Sequence, residues 1–180
     1  MILTDKSGII PYGFLFALAH ELGHILAMMV FKIKVEKIKF GFVNIDLFQN
    51  GSDKIIKDKV NIVVLFSGSF VNFLLFLAFY SWFFHSGKMI YYFFSLQNLF
   101  IGVLNLLPVD SLDGGKILKI ILSRYFNFFL VEKILKYVSF LILIPLFLLG
   151  VFVLFYSWCN FSLVILALYL IIFLFKGVVL

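Results

Sequence analysis

From Asn61 to Phe84 the chain carries no charged residue, and an apolar stretch of that length constrains the fold more than any other feature. A helix needs about 20 mostly apolar residues to cross the hydrocarbon core of a bilayer. Comparable runs occur at 9–31, 89–107, 134–156 and 159–175. Composition decides between a membrane and an unusually apolar soluble core. Of the 180 residues 64% are apolar and 13% charged, against roughly 45–50% and about 25% in soluble domains. A soluble fold this short cannot hide so much Phe, Leu and Ile, and disorder requires the opposite composition. The expected fold class is therefore an all-α polytopic membrane protein with about five transmembrane helices. It is expected to be a single integral membrane domain over 1–180, with a core at about 9–125 and packing helices at about 134–175.

One connection reads differently. Between Lys32 and Leu47, Ile33, Val35, Ile38, Phe40 and Phe42 are interleaved with Lys32, Lys34, Glu36, Lys37 and Lys39. Alternation rich in β-branched and aromatic residues predicts a short membrane-associated β element after the first span. The formal charge of +6 is explained by loops rather than by nucleic acid, which is not an expected partner. Seven Lys fall in 32–59, and Lys116, Lys119, Arg124, Lys133 and Lys136 fall in 108–136. Lys and Arg concentrate in cytoplasmic loops, so both segments are expected inside. The chain is then a multi-pass protein of the cell membrane with its N-terminus outside and its C-terminus cytoplasmic. Met1–Gly8 is too short and mixed for the start of a cleavable signal peptide, and the lone Cys159 forms no internal disulfide.

Ionisable residues inside a span are costly and mark function by default. The first span holds His20-Glu21-Leu22-Gly23-His24. Four residues apart on a helix, His20 and His24 share one face and can reach one metal ion. Glu21 is placed to take a proton from a metal-bound water, as in the H-E-x-x-H arrangement of zinc peptidases. The competing explanation is a polar cluster that hydrogen-bonds neighbouring helices, which gives no reason for the four-residue spacing.

A catalytic zinc normally has three protein ligands. His85 falls at the far end of the second span and reads as an interfacial residue. Asp110 and Asp113 follow Pro108, which breaks the third span. His24 lies about 10 Å of helix rise above the cytoplasmic end of the first span, and the third span delivers both Asp residues to that same half of the membrane. Asp113 also suits a helix N-cap, and Gly114 and Gly115 allow a tight backbone turn beside it.

These stretches resemble the site-2 protease family of intramembrane zinc metalloproteases. The similarity rests on His20-Glu21-Leu22-Gly23-His24, on Ser67-Gly68-Ser69-Phe70-Val71-Asn72, and on Asn105 to Gly115 with its Asn-x-x-Pro and Leu-Asp-Gly elements. It covers about 9–125 and is closest to the minimal form related to the protease that processes a sporulation sigma factor. Ser69 stands where the family usually has proline, as does the segment Val109-Asp110-Ser111. The resemblance implies one Zn2+ per chain bound by His20, His24 and Asp113, with Glu21 as general base and acid. It also implies that Asn105, and less directly Asn72, contact the substrate or the oxyanion. The expected partners are the lipid bilayer, a transmembrane or membrane-associated protein substrate cut near the cytoplasmic leaflet, and a regulatory membrane protein. No room is expected for a PDZ or nucleotide-sensing domain. Two other classes fit parts of the pattern. An inactive membrane-binding relative would be expected to lack Glu21 or a ligand, and a metal transporter would spread polar residues over several spans and related halves.

Overall fold

The computed structural model describes residues 9–33, 58–157 and 168. Five helices follow one another: α1 (Ile9–Val30), α2 (Asp58–Ser86), α3 (Met89–Asn105), α4 (Asp113–Leu122) and α5 (Phe128–Ser157). Three contain stretches long and apolar enough to cross a membrane, at Tyr12–Val30, Asp58–Ser86 and Phe128–Phe152, so the chain is a multi-pass membrane protein.

This corrects the expected fold class. Five helices are delimited among the described residues, but α4 is a short amphipathic helix of 10 residues and α3, at 17 residues, is shorter than the spans. The predicted run 159–175 lies outside the described residues apart from Leu168, which is helical. No strand occurs among the described residues, and most of the predicted β segment, 34–47, lies outside them. Its described start is a helix terminus. Lys32 turns into the left-handed region at φ 53°, while Lys32 N–H donates to the Met29 carbonyl and Ile33 N–H to the Met28 carbonyl, both at 3.0 Å. That is a Schellman closure of α1. Alternation registers side-chain character; here the backbone donors of the first two residues are taken by the helix they follow.

The chain divides into two compact units. The first contains α1, α2 and α3. α1 crosses α2 closely because small residues meet there: a Cβ on Gly23 would lie 2.8 Å from the Ser67 carbonyl oxygen and 3.0 Å from Gly68 Cα. Small residues permit such approach where lipid offers no hydrophobic gain for helix association. Phe16 of α1 packs edge-on against Phe94 of α3 at 5.6 Å and tilts against Phe79 of α2 at 5.6 Å. Fully buried positions in this unit are mostly polar, Ser69, Asn72, Ser95 and Asn98, while Leu22, Leu26, Leu74, Leu77 and Phe84 are exposed. That inverts the arrangement of a soluble protein and suits an apolar solvent.

The second unit contains α4, α5 and the turn before α4. Val109 and Leu112 of that turn are buried with Leu143 of α5, and the Asp110 amide donates to Ser139 Oγ at 3.0 Å. Gly115 lies directly beneath the turn: a Cβ there would collide with the Val109 carbonyl and sit 2.8 Å from the Asp110 nitrogen. Since the obstacle is backbone, Gly115→Ala should destabilise the protein by about 1–3 kcal/mol, read as a lower midpoint of thermal unfolding in detergent.

Candidate metal centre

In α1 the four-residue spacing brings His20 and His24 onto one buried face. Their rings meet edge to face with centroids 4.8 Å apart, and His20 Nε2 lies 3.1 Å from His24 Nε2. What stands behind each ring decides which nitrogen carries the proton. His24 Nδ1 is 2.8 Å from the Val64 carbonyl oxygen, an atom that can only accept, so Nδ1 is the protonated nitrogen. His20 Nδ1 is 2.9 Å from Asn72 Oδ1, again an acceptor, with the Asn72 amide group donating from its other end to the Phe16 carbonyl at 3.3 Å and to Asn98 Oδ1 at 3.1 Å.

Both imidazoles therefore turn Nε2 toward one point. Their separation of 3.1 Å is close to the ~3.3 Å of two nitrogens on a tetrahedral ion with bonds of about 2.05 Å. The partners on Nδ1 are those that metal-ligating histidines typically use, a backbone carbonyl and a side-chain oxygen that fix tautomer and ring orientation. α2 leaves the space open. A Cβ on Gly68 would collide with His24 Nε2 and lie 2.6 Å from His24 Cε1 and 2.8 Å from His20 Cε1. Ser67 Oγ reaches the Gly23 carbonyl at 3.0 Å and the Val64 carbonyl at 2.6 Å, tying the helices together beside the pair. The pair fits a metal ion by its donor chemistry and by the cradle that Gly68 leaves.

Glu21 is half-buried on the adjoining flank of α1. Asn72, expected at the substrate, stands behind His20. Asn105 is the last residue of α3 and donates to the Ile101 carbonyl at 3.0 Å. His85 is exposed in the last turn of α2.

In the second unit, Asp113 is the first residue of α4 and is buried, with Leu112 as the cap residue. The partial positive charge of a helix N-terminus favours a carboxylate there, and Lys116 Nζ lies 3.8 Å from its Oδ1. Asp110 is only partly buried.

Sequence reasoning did not identify Val64, Gly68 or Asn98 as part of this centre. Val64 acts through its carbonyl, which no side-chain pattern reveals. Asn98 had a signal, since an amide in the middle of an apolar run is costly unless it is bonded.

Comparison with known proteins follows the same lines. Residues 84–149 match the model of Peptidase family M50, a stretch that includes Asn105 to Gly115 and excludes the histidine pair. A zinc metalloprotease of Methanocaldococcus jannaschii is 33% identical over 129 residues, covering 67% of this chain and 36% of the relative. The chain thus spans about a third of that protein's length. The solved structure of a site-2 protease from the same organism superposes with a TM-score of 0.67 at 24% identity, over 93% of this chain and 76% of the other, a likeness of fold.

Proposed function

Because the chain belongs to the site-2 protease family, peptidase family M50, we propose that it is a zinc-dependent intramembrane endopeptidase. The observation that carries this is the convergence of two Nε2 lone pairs inside a membrane-length helix. His20 and His24 would hold one zinc ion per chain with Asp113, from the Leu-Asp-Gly element that carries the family resemblance, as third ligand. These are two imidazoles and a carboxylate, each buried. Asp113 is preferred to Asp110 because it is the more buried of the two.

When bound, zinc supplies a Lewis acid for the scissile carbonyl and lowers the pKa of a water molecule. Glu21 accepts a proton from the attacking water and returns it to the leaving amine, so that one peptide bond and one water become a carboxylic acid and an amine. Asn105 at the end of α3 contacts the substrate backbone or the developing oxyanion, and Asn72 serves His20. The substrate is a transmembrane or membrane-associated protein segment, cut near the cytoplasmic leaflet, and a regulatory membrane protein governs access. The Lys-rich segments support a topology with the N-terminus outside and the C-terminus inside.

Metal analysis of the purified protein tests the ligand set before any substrate is needed. Wild type prepared with zinc should retain about one ion per chain, as a three-ligand site implies, and His24→Ala and Asp113→Ala should each lose most of it. Retention by Asp113→Ala alone would transfer the third-ligand role to Asp110. A wild-type protein that takes up no zinc would overturn the proposal.

A further inference from the structure

Asn72 is fully buried in α2, and Asn98 is fully buried in α3. A carboxamide has nearly the same shape either way round, so its partners decide which end faces His20. The assignment can be followed from an atom that cannot turn over. The Phe94 carbonyl only accepts, so Asn98 presents Nδ2 to it, at 2.9 Å. Asn98 Oδ1 is thereby directed at Asn72, which must answer with its own Nδ2, at 3.1 Å. The Phe16 carbonyl, at 3.3 Å, draws on the same amino group. Asn72 Oδ1 is left facing His20 Nδ1, which must then carry the proton, and the Nε2 lone pair of His20 points at the metal position.

We propose that Asn98 is a positioning residue for the metal centre: as the nearer of the two acceptors on the Asn72 amino group, the other being the Phe16 carbonyl, it holds that amide one way round and so steadies the tautomer of His20. The inference rests on the reading of His20 as a zinc ligand. Were Asn72 to turn over, its amino group would face His20 Nδ1. The ring would favour its proton on Nε2, and a metal would bind there only by displacing it. A purely structural tie between α2 and α3 makes a different prediction. Losing it would lower stability and leave zinc affinity alone, whereas losing a positioning residue lowers zinc affinity first.

The test is zinc affinity of the full-length protein in detergent, by competition with a chromophoric chelator, alongside the unfolding midpoint of the zinc-depleted protein. Asn98→Leu should bind zinc about 10–100-fold more weakly than wild type, the usual cost of removing an outer-shell partner. Its zinc-free unfolding midpoint should fall by no more than the loss of the one hydrogen bond to Asn72 explains. Asn72→Asp combined with Asn98→Leu should recover part of the lost affinity, because a carboxylate presents an acceptor to His20 Nδ1 either way round, although its second oxygen then faces the Phe16 carbonyl. Asn98→Ala deletes the same acceptor with a smaller side chain and, if the leucine variant does not fold, is read by zinc affinity alone, because the cavity it leaves lowers the midpoint by itself. Affinity within a factor of about three of wild type, or equal loss in the single and double variants, would overturn the positioning role while leaving the zinc site intact. Absence of zinc from wild type would instead remove the ligand reading and this inference with it.

Discussion

Glu21→Gln should reduce cleavage of a membrane-embedded reporter helix by about 10²–10⁴-fold, the range expected when a general base and acid is removed, with zinc content unchanged. Glutamine matches glutamate in size and retains a hydrogen-bonding oxygen, but it cannot take a proton from water or return one to an amine. Glu21 is half-buried, and one helical step from His20 places it on a neighbouring flank rather than on the ligand face. The substitution therefore removes proton transfer and leaves His20 and His24 with the partners they have. Measurement in proteoliposomes, with metal content determined on the same preparation, separates the outcomes. Cleavage at the wild-type rate would remove Glu21 from the mechanism. Loss of zinc together with activity would make Glu21 part of the metal centre's support instead.

The meeting of the histidine pair was legible because its signal is local: two side chains one helical turn apart need only the helix to meet, and an apolar run of that length supplies it. The turn before α4 was legible for a similar reason, since Pro108 punctuates the chain whatever surrounds it; the glycines expected to turn the backbone instead lie inside α4, where Gly115 lets that turn pack closely. What the helices bury was harder to read. In a soluble helix an apolar stripe marks the inner face; in α2 and α3 both faces are apolar, and that periodicity carries little information. The inner face is marked instead by small and polar residues, Gly68, Ser69 and Asn72 on α2 and Ser95, Asn98 and Gly102 on α3, at the three-to-four-residue spacing of a helical stripe. Read with that inverted rule, the sequence would have paired Asn72 with Asn98. The turn at Lys32 had no such marker, because Lys is an uncommon residue for a left-handed position and nothing nearby signals it. The length of α3 was overestimated because hydropathy continues through Leu106 and Leu107 while the helix ends at Asn105.

Gly68→Ala should abolish zinc binding with little loss of fold, a larger effect than one methyl group ordinarily produces. The added Cβ would collide with His24 Nε2 and approach Cε1 of both rings to within 2.8 Å, where ordinary carbon contacts lie at about 3.5–4.0 Å. Something must move, and there are two possibilities. α2 could back away from α1, but Gly23 is seated against Ser67 and Gly68 and Ser67 is bonded across the crossing, so separation would open the whole contact. The rings can swing more cheaply, each giving up one Nδ1 hydrogen bond at a net loss of roughly 0.5–1.5 kcal/mol. Swinging them destroys the convergence of the Nε2 lone pairs, and displacement of the order of 1 Å at such a site costs about 10²-fold or more in function. The expected result is a protein whose zinc-free unfolding midpoint stays close to wild type but which neither retains zinc nor cleaves. Ser69→Ala is the matched control: Ser69 is the next residue along the same helix, fully buried, and its Oγ has no hydrogen-bond partner among the described residues. Its truncation should leave both zinc and stability unchanged. Wild-type zinc affinity in Gly68→Ala would mean that the rings are not held where the metal centre requires them, and a collapse of the unfolding midpoint in that variant would mean that α2, rather than the histidines, gives way.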